Sequence, residues 1–234
     1  MIHICCMNLV SVIIPAFNEE NGIGEVIKEI PLELVSEVVV INNASTDNTE
    51  KIAREAGATV LRESTRGYGR ACLKGIDYLK KKGVKPSIVI FLDADHSDYP
   101  EEMRELIKPI LEDKADLVIG SRALGQKESG SMTPQQIFGN WLATRLLRVL
   151  YKVSFTDLGP FRAIRYDSLI LLDMQDKTYG WTVEMQLKAA KMGLRCLEVP
   201  VSYRKRIGFS KISGTVKGTI MAGVKIISTI FKYV

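Results

Sequence analysis

The sequence predicts an α/β protein in which helices cover both faces of a mostly parallel sheet. Its 234 residues suit one domain, and its content of 46% hydrophobic and 25% charged residues is that of a globular chain. Short runs of Val and Ile alternate with helical patterns through the first half, and these runs are apolar throughout, as in strands buried on both faces. Ligands of such sheets bind at the carboxyl ends of the strands, so the loops that follow the strands are expected to form the functional site.

Nine elements are predicted in the first half of the chain. Runs of β-branched residues predict strands at residues 10–14, 37–41, 58–61, 87–92 and 116–120. Apolar residues at helical spacing predict helices at residues 24–30, 46–56, 69–82 and 100–112. The loops after Ile14, Ile41, Leu92 and Gly120 are therefore expected to converge at one edge of the sheet.

The second half has a different character. Residues 125–133 are polar and contain glycines, which predicts a mobile loop. Helices are predicted at residues 134–152 and 181–192, and strands at residues 160–164 and 195–201. Because neither an internal repeat nor a linker divides the chain, residues 1–213 are predicted to form one domain and residues 214–234 a C-terminal amphipathic helix.

The C-terminal segment is apolar but is interrupted by Lys217, Lys225 and Lys232. These lysines recur at spacings of eight and seven residues, so on a helix they form one stripe. Such a helix can lie in a membrane interface, dock on a partner chain or pack on its own domain, and these alternatives stay open. No apolar run reaches the length of a transmembrane helix.

Charge and cysteine content narrow the class of partner. The formal net charge of +5 suits phosphates, an anionic membrane surface or simply a solvated basic surface. Nucleic acid is disfavoured, because the basic residues are not interleaved with aromatic ones and no recognition motif is present. The four cysteines show no zinc-ligand spacing and no Cys-X-X-Cys motif, and the N-terminus lacks a signal-peptide pattern, which predicts reduced thiols in a cytoplasmic protein.

Two carboxylates end the fourth predicted strand, in the motif Asp93-Ala94-Asp95. Alternate residues of an extended chain point the same way, so both carboxylates can face one cation. Mg²⁺ and Mn²⁺ prefer oxygen ligands and keep positions open for phosphate oxygens. Asp-X-Asp also occurs in many surface turns, but its position after a buried strand favours a metal site that handles a diphosphate.

Polar residues also follow the first two strands. Pro15 ends the first strand, and Asn18 and Glu19 then precede a helix, where capping is the alternative role for Asn18. Asn43 is the second of two asparagines ahead of a polar loop at residues 44–49. Capping by that loop explains its serine and threonines but leaves the paired asparagines unexplained.

A glycine loop and a basic loop complete the candidate set. Gly67 and Gly69 permit close approach of the backbone, and the helix that follows them can hold an anion at its N-terminus. Arg206 and Lys211 flank Gly208 in a basic segment, and such side chains can bind phosphate and close over it. A solvated basic turn is the alternative for this segment.

Taken in order, these loops resemble the family 2 glycosyltransferases, which have the Rossmann-like GT-A fold. The matching segments are residues 10–20 (VSVIIPAFNEE), 45–49 (STDNT), 67–69 (GYG), 93–95 (DAD) and 120–122 (GSR). Residues 157–162 (DLGPFR) and 206–211 (RIGFSK) resemble the dolichyl-phosphate mannose and glucose synthases, a group of polyprenyl-phosphate glycosyltransferases. The resemblance covers nearly the whole chain.

The resemblance implies a role for each matching residue. Binding of the nucleotide sugar is implied for Pro15, Ala16, Asn18, Glu19, Asn43, Gly67, Asp93 and Ala94. Binding of Mg²⁺ or Mn²⁺ is implied for Asp93 and Asp95, and binding of a phosphate or of the acceptor for Arg122, Arg206, Ser210 and Lys211. Asn43 stands where the family often has an Asp that contacts the base or ribose, so the choice between uracil and guanine stays open.

The implied reaction moves a hexosyl group, with inversion, from a UDP-glucose or GDP-mannose type of donor to a polyprenyl phosphate. Catalytic roles are implied for Asp95, Arg122, Asp157 and Glu184. Asp157 and Glu184 are candidate bases for a hydroxyl acceptor, with turn positioning and a structural ion pair as their alternatives; a phosphate acceptor needs no base. The implied location is the cytoplasmic face of a membrane, by peripheral contact or through a membrane partner protein. A hydroxyl acceptor and a non-catalytic sugar-nucleotide binding protein remain as alternatives.

Overall fold

Seven strands form one sheet in the computed structural model, which describes residues 10–208 and 216–233. The strands are β1 (Val10–Ala16), β2 (Glu37–Asn42), β3 (Thr59–Arg62), β4 (Ile88–Phe91), β5 (Leu117–Ser121), β6 (Arg162–Arg165) and β7 (Cys196–Pro200). The α-helices of the described residues are α1 (Ile23–Lys28), α2 (Thr49–Glu55), α3 (Tyr68–Lys81), α4 (Met103–Leu111), α5 (Pro134–Tyr151), α6 (Tyr166–Leu171), α7 (Trp181–Lys191) and α8 (Val216–Lys232). A short 3-10 helix, Pro100–Glu102, leads into α4.

The strands follow the order β3-β2-β1-β4-β6-β5-β7, and all except β6 run in the same direction. β1 pairs in parallel with β2 and β4, whereas β6 lies antiparallel between β4 and β5. β6 is reversed because the chain enters it beside the carboxyl ends of its neighbours, where Arg162 pairs with Phe91 and Ile119. The predicted α/β fold with a mostly parallel sheet is confirmed.

Helices cover both faces of the sheet. α1, α2 and α4 pack on one face in a cluster that includes Ile14, and α3 and α5 to α8 pack on the other in a cluster that includes Ile13. In the second cluster the rings of Phe91 and Trp181 meet edge to face, with centroids 5.7 Å apart. Because consecutive strand residues enter opposite clusters, the strand sequences are apolar throughout rather than alternating.

The main differences from the predicted elements lie at α2 and α6. α2 begins at Thr49 rather than at residue 46, because the Asp47 carboxylate accepts both the N–H and the hydroxyl of Thr49 and so ends the loop there. No predicted helix corresponds to α6, which follows β6 directly and has only six residues. A helix that short does not display a helical period in its sequence.

The polar loop at residues 125–133 runs along Tyr203. The N–H of Glu128 donates to the Tyr203 carbonyl, and the N–H of Tyr203 donates to the Gln126 carbonyl. A Cβ on Gly125 would lie 2.0 Å from the carbonyl oxygen of Val201, so this close approach requires glycine. The loop is therefore held against the segment that leads from β7 into the basic residues 204–206.

Helix α8 packs on the domain with one side and exposes the other. Ile230 is fully buried in the core, and the hydroxyl of Tyr151, at the end of α5, donates to its carbonyl. Ile220, Val224 and Phe231 are each more than half exposed on the opposite side. Among the described residues, no helix combines the length and the apolar content that crossing a bilayer demands.

Candidate active site

A cleft of about 270 Å³ opens at the carboxyl ends of β1, β2 and β4. β1 lies between the other two strands, so the loops that follow all three meet at this edge, as predicted. The cleft is lined by residues from four loops and two further segments: Pro15, Ala16, Phe17, Glu19, Asn43, Arg66, Gly67, Tyr68, Asp93, Ala94, Asp95, Tyr179 and Arg206. Four residues that were predicted for the site, Asn18, Arg122, Asp157 and Glu184, do not line it.

Asn18 joins the loops after β1 and β2. Its side-chain oxygen accepts the N–H of Thr46, its own N–H donates to the Ser45 hydroxyl, and its φ is 53°. Beside it, the N–H of Glu19 donates to the hydroxyl of Thr49. Asn18 therefore has a structural role, because it holds the two loops together beside Glu19, which lines the cleft; its contact with a nucleotide stays a prediction.

Asn43 lines the cleft, but its side chain is occupied by the loop that follows β3. The amide nitrogen donates to the carbonyls of Glu63 and Thr65, and the amide oxygen accepts the N–H of Gly67. Asn43 is only 5% exposed. This set of contacts requires an amide, because a carboxylate has no hydrogen to give the two carbonyls. The asparagine thus shapes the wall formed by residues 63–67.

Replacing Asn43 with aspartate is expected to lower the free energy of unfolding by about 2 kcal/mol, since two buried hydrogen bonds are lost and a charge faces two carbonyl oxygens. The freed loop should also be cut faster by trypsin after Arg66, which is exposed. Urea unfolding and limited proteolysis measure the two effects. Asn21→Asp, at an exposed position, is the matched control and should change neither. Unchanged stability and cleavage in Asn43→Asp would contradict the assigned role.

Gly67 and Gly69 meet protein rather than an anion. The N–H groups of Gly69 and Arg70, in the first turn of α3, donate to the carbonyls of Thr178 and Lys177. A Cβ on Gly69 would lie 2.0 Å from the Asp176 carbonyl oxygen. The predicted anion site at the start of α3 is therefore wrong, because the helix N-terminus is covered by residues 176–178. The same contact brings Tyr179 to the wall of the cleft.

Asp93 and Asp95 differ in how their carboxylates are held. Asp95 accepts the N–H and the hydroxyl of Ser97 at one oxygen. Asp93 has an inaccessible oxygen, Oδ1, with no hydrogen-bond partner among the described residues. Burial, and then the charge of Asp95, raise the pKa of Asp93 to about 7, while Arg206 and Arg122 act in the opposite direction. A cationic ligand would therefore stabilise the ionised form of the Asp93 carboxyl group.

Arg206 sits between two carboxylates of the cleft. Its guanidinium lies 2.7 Å from Glu19 Oε1 and 3.1 Å from Asp95 Oδ2. The backbone fixes it there, because the N–H of Ile207 donates to the Asp95 carbonyl. The structure thus brings Arg206 to Asp95, and its binding of phosphate stays a prediction. Ser210 and Lys211, predicted from the same basic segment, lie outside the described residues.

Arg122 and Asp157 form a buried ion pair. Nε and one terminal nitrogen of Arg122 donate to the two Asp157 oxygens at 2.8 and 2.7 Å, and the Arg122 N–H also donates to Asp157. Burial alone would raise the pKa of Asp157, but attraction and hydrogen bonds from Arg122 outweigh it and hold that pKa below its usual range. Both predicted catalytic residues are therefore engaged with each other behind the cleft, although the charge of Arg122 still acts on Asp93.

Glu184 is also engaged away from the cleft. Its carboxylate accepts the N–H groups of Gln175 and Asp176 and the hydroxyl of Tyr233, and Lys188 lies 3.0 Å away. The residue is 1% exposed. With four donors and no access to the cleft, Glu184 orders the segment before α7, which is the structural alternative to its predicted role as a base.

Four lining residues were not predicted: Phe17, Arg66, Tyr68 and Tyr179. The Arg66 guanidinium lies 4.2 Å from the centre of the Phe17 ring and makes a flat cationic surface at one side of the cleft. Phe17 and Arg66 lie within loops that the sequence does single out. Tyr179 has no sequence signal, because it reaches the cleft only through the pairing of residues 176–178 with α3.

The residues of the cleft fit a hard divalent cation. Asp93 and Asp95 supply oxygen donors, one of them without a protein partner, and the Arg206 guanidinium already marks the position as one that attracts positive charge. Within residues 10–208 and 216–233, no third carboxylate, imidazole or thiol joins them in a metal-binding cluster. The remaining ligands of a cation would therefore come from phosphate oxygens and water.

Known proteins resemble the chain over most of its length. The family model described as Glycosyl transferase family 2 matches residues 11–171. Undecaprenyl-phosphate mannosyltransferase of Micrococcus luteus is 31% identical over 232 residues, which cover 91% of this chain and 90% of that protein. Polyprenol monophosphomannose synthase of Mycolicibacterium smegmatis is 28% identical and covers 87% and 81% of the two chains.

A solved structure shares the fold. Glucosyl-3-phosphoglycerate synthase from Mycobacterium tuberculosis, solved with Mn²⁺, UDP and phosphoglyceric acid, superposes with a TM-score of 0.77 at 21% identity. The match covers 97% of this chain and 78% of that one. This likeness confirms the GT-A fold.

Proposed function

The chain belongs to glycosyl transferase family 2, and on that basis we propose that it transfers a hexosyl group from a nucleotide diphosphate sugar to a polyprenyl phosphate. Two relatives are named as a mannosyltransferase acting on undecaprenyl phosphate and as a polyprenol monophosphomannose synthase, which supports a lipid phosphate acceptor and a mannosyl group. Because such an acceptor resides in a bilayer, the proposal places the protein at the cytoplasmic face of a membrane.

One observation carries the choice of acceptor: neither candidate base reaches the cleft in the described part of the chain. Asp157 is paired with Arg122, and Glu184 is surrounded by four donors. A hydroxyl acceptor needs a base to remove its proton, and neither of these two carboxylates is placed to do so, whereas a phosphate monoester is already anionic. The structural engagement of both carboxylates therefore supports a phosphate acceptor over a hydroxyl acceptor.

The cleft can bind the nucleobase and the diphosphate of the donor at separate places. The wall shaped by Asn43, together with the Arg66–Phe17 pair, offers a flat surface for a nucleobase. Asp93 and Asp95 would hold Mg²⁺ or Mn²⁺ at the diphosphate, and the metal when bound would stabilise negative charge on the leaving nucleoside diphosphate. Arg206, released from Glu19 and Asp95, can bind the same diphosphate or the acceptor phosphate.

The proposed reaction is a single displacement. An anionic oxygen of the polyprenyl phosphate forms a bond to the anomeric carbon, and the bond from that carbon to the donor diphosphate breaks with its electron pair leaving on the nucleoside diphosphate. The configuration of the anomeric carbon is inverted, so an α-linked donor gives a β-linked lipid phosphate sugar. Preorganised cationic groups such as Arg206 stabilise the charge that develops on the leaving group.

The direct test supplies purified protein with Mn²⁺, a panel of UDP- and GDP-sugars and a short polyprenyl phosphate, and identifies glycolipid by mass spectrometry. Parallel reactions offer hydroxyl acceptors, including 3-phosphoglycerate. We expect a hexosyl polyprenyl phosphate, with GDP-mannose as the first donor to examine. Transfer to a hydroxyl acceptor alone would favour the alternative acceptor class, and nucleotide-sugar binding without any transfer would favour a non-catalytic protein.

Affinity for Mn²⁺ is expected to fall as the pH is lowered through 7. The pKa of Asp93 is raised to about 7, so below that pH the carboxyl carries a proton that a cation must displace, and above it the carboxylate is free. Between pH 8 and pH 6 the affinity should drop about tenfold, with about one proton released per ion at pH 6. Titration calorimetry in buffers of different ionisation enthalpy measures both quantities. An affinity that does not change over this range would contradict the role of Asp93.

A further inference from the structure

Two neighbouring helices, α5 and α8, carry an outward surface that is both apolar and basic. We propose that this surface docks on an anionic lipid bilayer, with α5 supplying its aromatic anchor. The docking surface comprises Ile137, Phe138 and Trp141 of α5 with Ile220, Val224 and Phe231 of α8. The sequence alone indicates a membrane contact only for the C-terminal helix, so the part assigned to α5 is new.

The apolar residues of α5 lie on its solvent side. Phe138 is 61% exposed and Trp141 58% exposed, and their rings are 5.8 Å apart. Ala143 and Leu147, on the opposite side of the helix, are buried in the core. Exposed aromatic residues on a helix that is anchored by its other face are typical of proteins that rest in the interface of a bilayer, where Trp is favoured.

The charge of the two helices indicates which partner binds the docking surface. α5 and α8 contain five Lys or Arg residues and no Asp or Glu, and the formal net charge of the whole chain is +5. All the excess positive charge therefore resides on these helices, and the rest of the chain is balanced. Arg145 and Arg148 follow Trp141 at intervals of four and three residues, so they lie on the same side of α5 as the exposed rings. Lys225 is paired with Asp176, whereas Arg145, Arg148 and Lys232 are exposed. Apolar side chains beside exposed basic ones match an anionic headgroup layer.

A second copy of this chain fits the surface poorly. A two-fold dimer would place the surface against itself, so the basic residues of one copy would face those of the other. Burying like charges against each other is unfavourable unless acidic groups intervene, and the two helices have none. A bilayer that contains anionic lipid offers an apolar interior for the exposed apolar side chains and negatively charged headgroups for the basic ones.

Both helices contact segments that lie next to the cleft. The Asn140 side chain, one residue before Trp141, donates to the Thr156 carbonyl and accepts the N–H of Leu158, the residue after Asp157. On α8, Lys225 lies 2.8 Å from Asp176, in the segment that carries Tyr179 into the cleft. A bilayer on the docking surface would thus lie beside the active site, and this step rests on the proposed lipid acceptor.

Vesicle binding without nucleotide or acceptor tests the docking surface by itself. Full-length protein is floated with phosphatidylglycerol or phosphatidylcholine vesicles, and we expect binding to the former that weakens with added salt. The double variant Phe138→Ser/Trp141→Ser should bind the anionic vesicles about tenfold more weakly. Leu171→Ser, which changes a residue 60% exposed on α6 outside the surface, is the matched control and should bind as the wild type does. Equal binding by the double variant would overturn the proposal.

Fluorescence reports whether α5 enters the lipid. The chain has two tryptophans, and Trp181 is 1% exposed in the core, so quenching by brominated lipid should arise from Trp141 and disappear in Trp141→Phe. Quenching that persists in Trp141→Phe would contradict insertion of α5. Light scattering tests the alternative that a second copy of the chain covers the surface. If the wild type were a dimer, the double variant a monomer, and neither bound vesicles, the surface would be assigned to a second copy.

Activity separates this proposal from the proposed function. The double variant should transfer sugar normally to a short, water-soluble polyprenyl phosphate and lose transfer to a long-chain acceptor embedded in vesicles. If the wild type binds vesicles but glycosylates neither acceptor, the proposed function fails while the docking surface stands. If it glycosylates the soluble acceptor but does not bind vesicles, the docking surface fails while the proposed function stands.

Discussion

Replacing Asp95 with alanine is expected to reduce sugar transfer by at least about a thousandfold while the fold survives. Its carboxylate faces the cleft beside Asp93, so the change removes half of the acidic pair that would hold the metal at the diphosphate. The side chain contributes little to the core, since its protein contacts are with Ser97 and Arg206 at the edge of the sheet. Initial rates with saturating donor and Mn²⁺, together with urea unfolding, measure the two outcomes.

The matched control for this variant is Asp167→Ala, which removes an exposed carboxylate from α6 and should leave the rate unchanged. Full activity of the Asp95 variant, retained when a chelator is present, would contradict the metal-dependent mechanism. A loss of activity accompanied by unfolding would instead show that Asp95 is needed for stability, contrary to its position at the end of β4.

Replacing Asp157 with alanine is expected to lower the free energy of unfolding by about 3–5 kcal/mol. The variant leaves the Arg122 guanidinium buried without its partner, and an uncompensated charge in the interior is far more costly than the loss of an exposed pair. The side chains of Arg122 and Asp157 are only 11% and 1% exposed, so water cannot replace the lost contacts. Urea unfolding at neutral pH provides the measurement.

The double variant Arg122→Met/Asp157→Leu tests whether the unpaired charge causes the loss of stability. It removes both charges, so it should be more stable than Asp157→Ala even though it changes more atoms. If Asp157→Ala instead kept wild-type stability and lost transfer, Asp157 would act in the chemistry, and the structural role assigned to the pair would be wrong.

The fold follows from the sequence wherever a strand is buried on both faces. Continuous Val and Ile runs such as residues 37–41 identify β1, β2 and β4, and the loops after those strands contain most of the cleft. β6 is different: its four residues are Arg-Ala-Ile-Arg, and its antiparallel direction depends on where the preceding loop lies in space. Tertiary context of that kind leaves no periodic trace in the sequence.

The site was predictable where a residue's position decides its role, and unpredictable where its hydrogen bonds do. Asp93, Asp95, Glu19 and Arg206 meet in the cleft because strand ends and one basic loop bring them there. Glu184 has the same chemistry as a catalytic base, but its donors include backbone N–H groups of residues 175–176 and the hydroxyl of Tyr233, which lies 49 residues further along the chain. Sequence spacing does not reveal such partners.

The position of Arg206 couples binding of the metal ion to binding of the donor. Its guanidinium lies 3.1 Å from Asp95 Oδ2, so it would compete there with a divalent cation held by the acidic pair. A metal ion held by Asp93 and Asp95 would leave the Arg206 guanidinium free to bind phosphate, and the guanidinium at Asp95 would oppose binding of that ion. Metal and donor should therefore bind with positive cooperativity, and Arg206 acts as a counterion to Glu19 and Asp95.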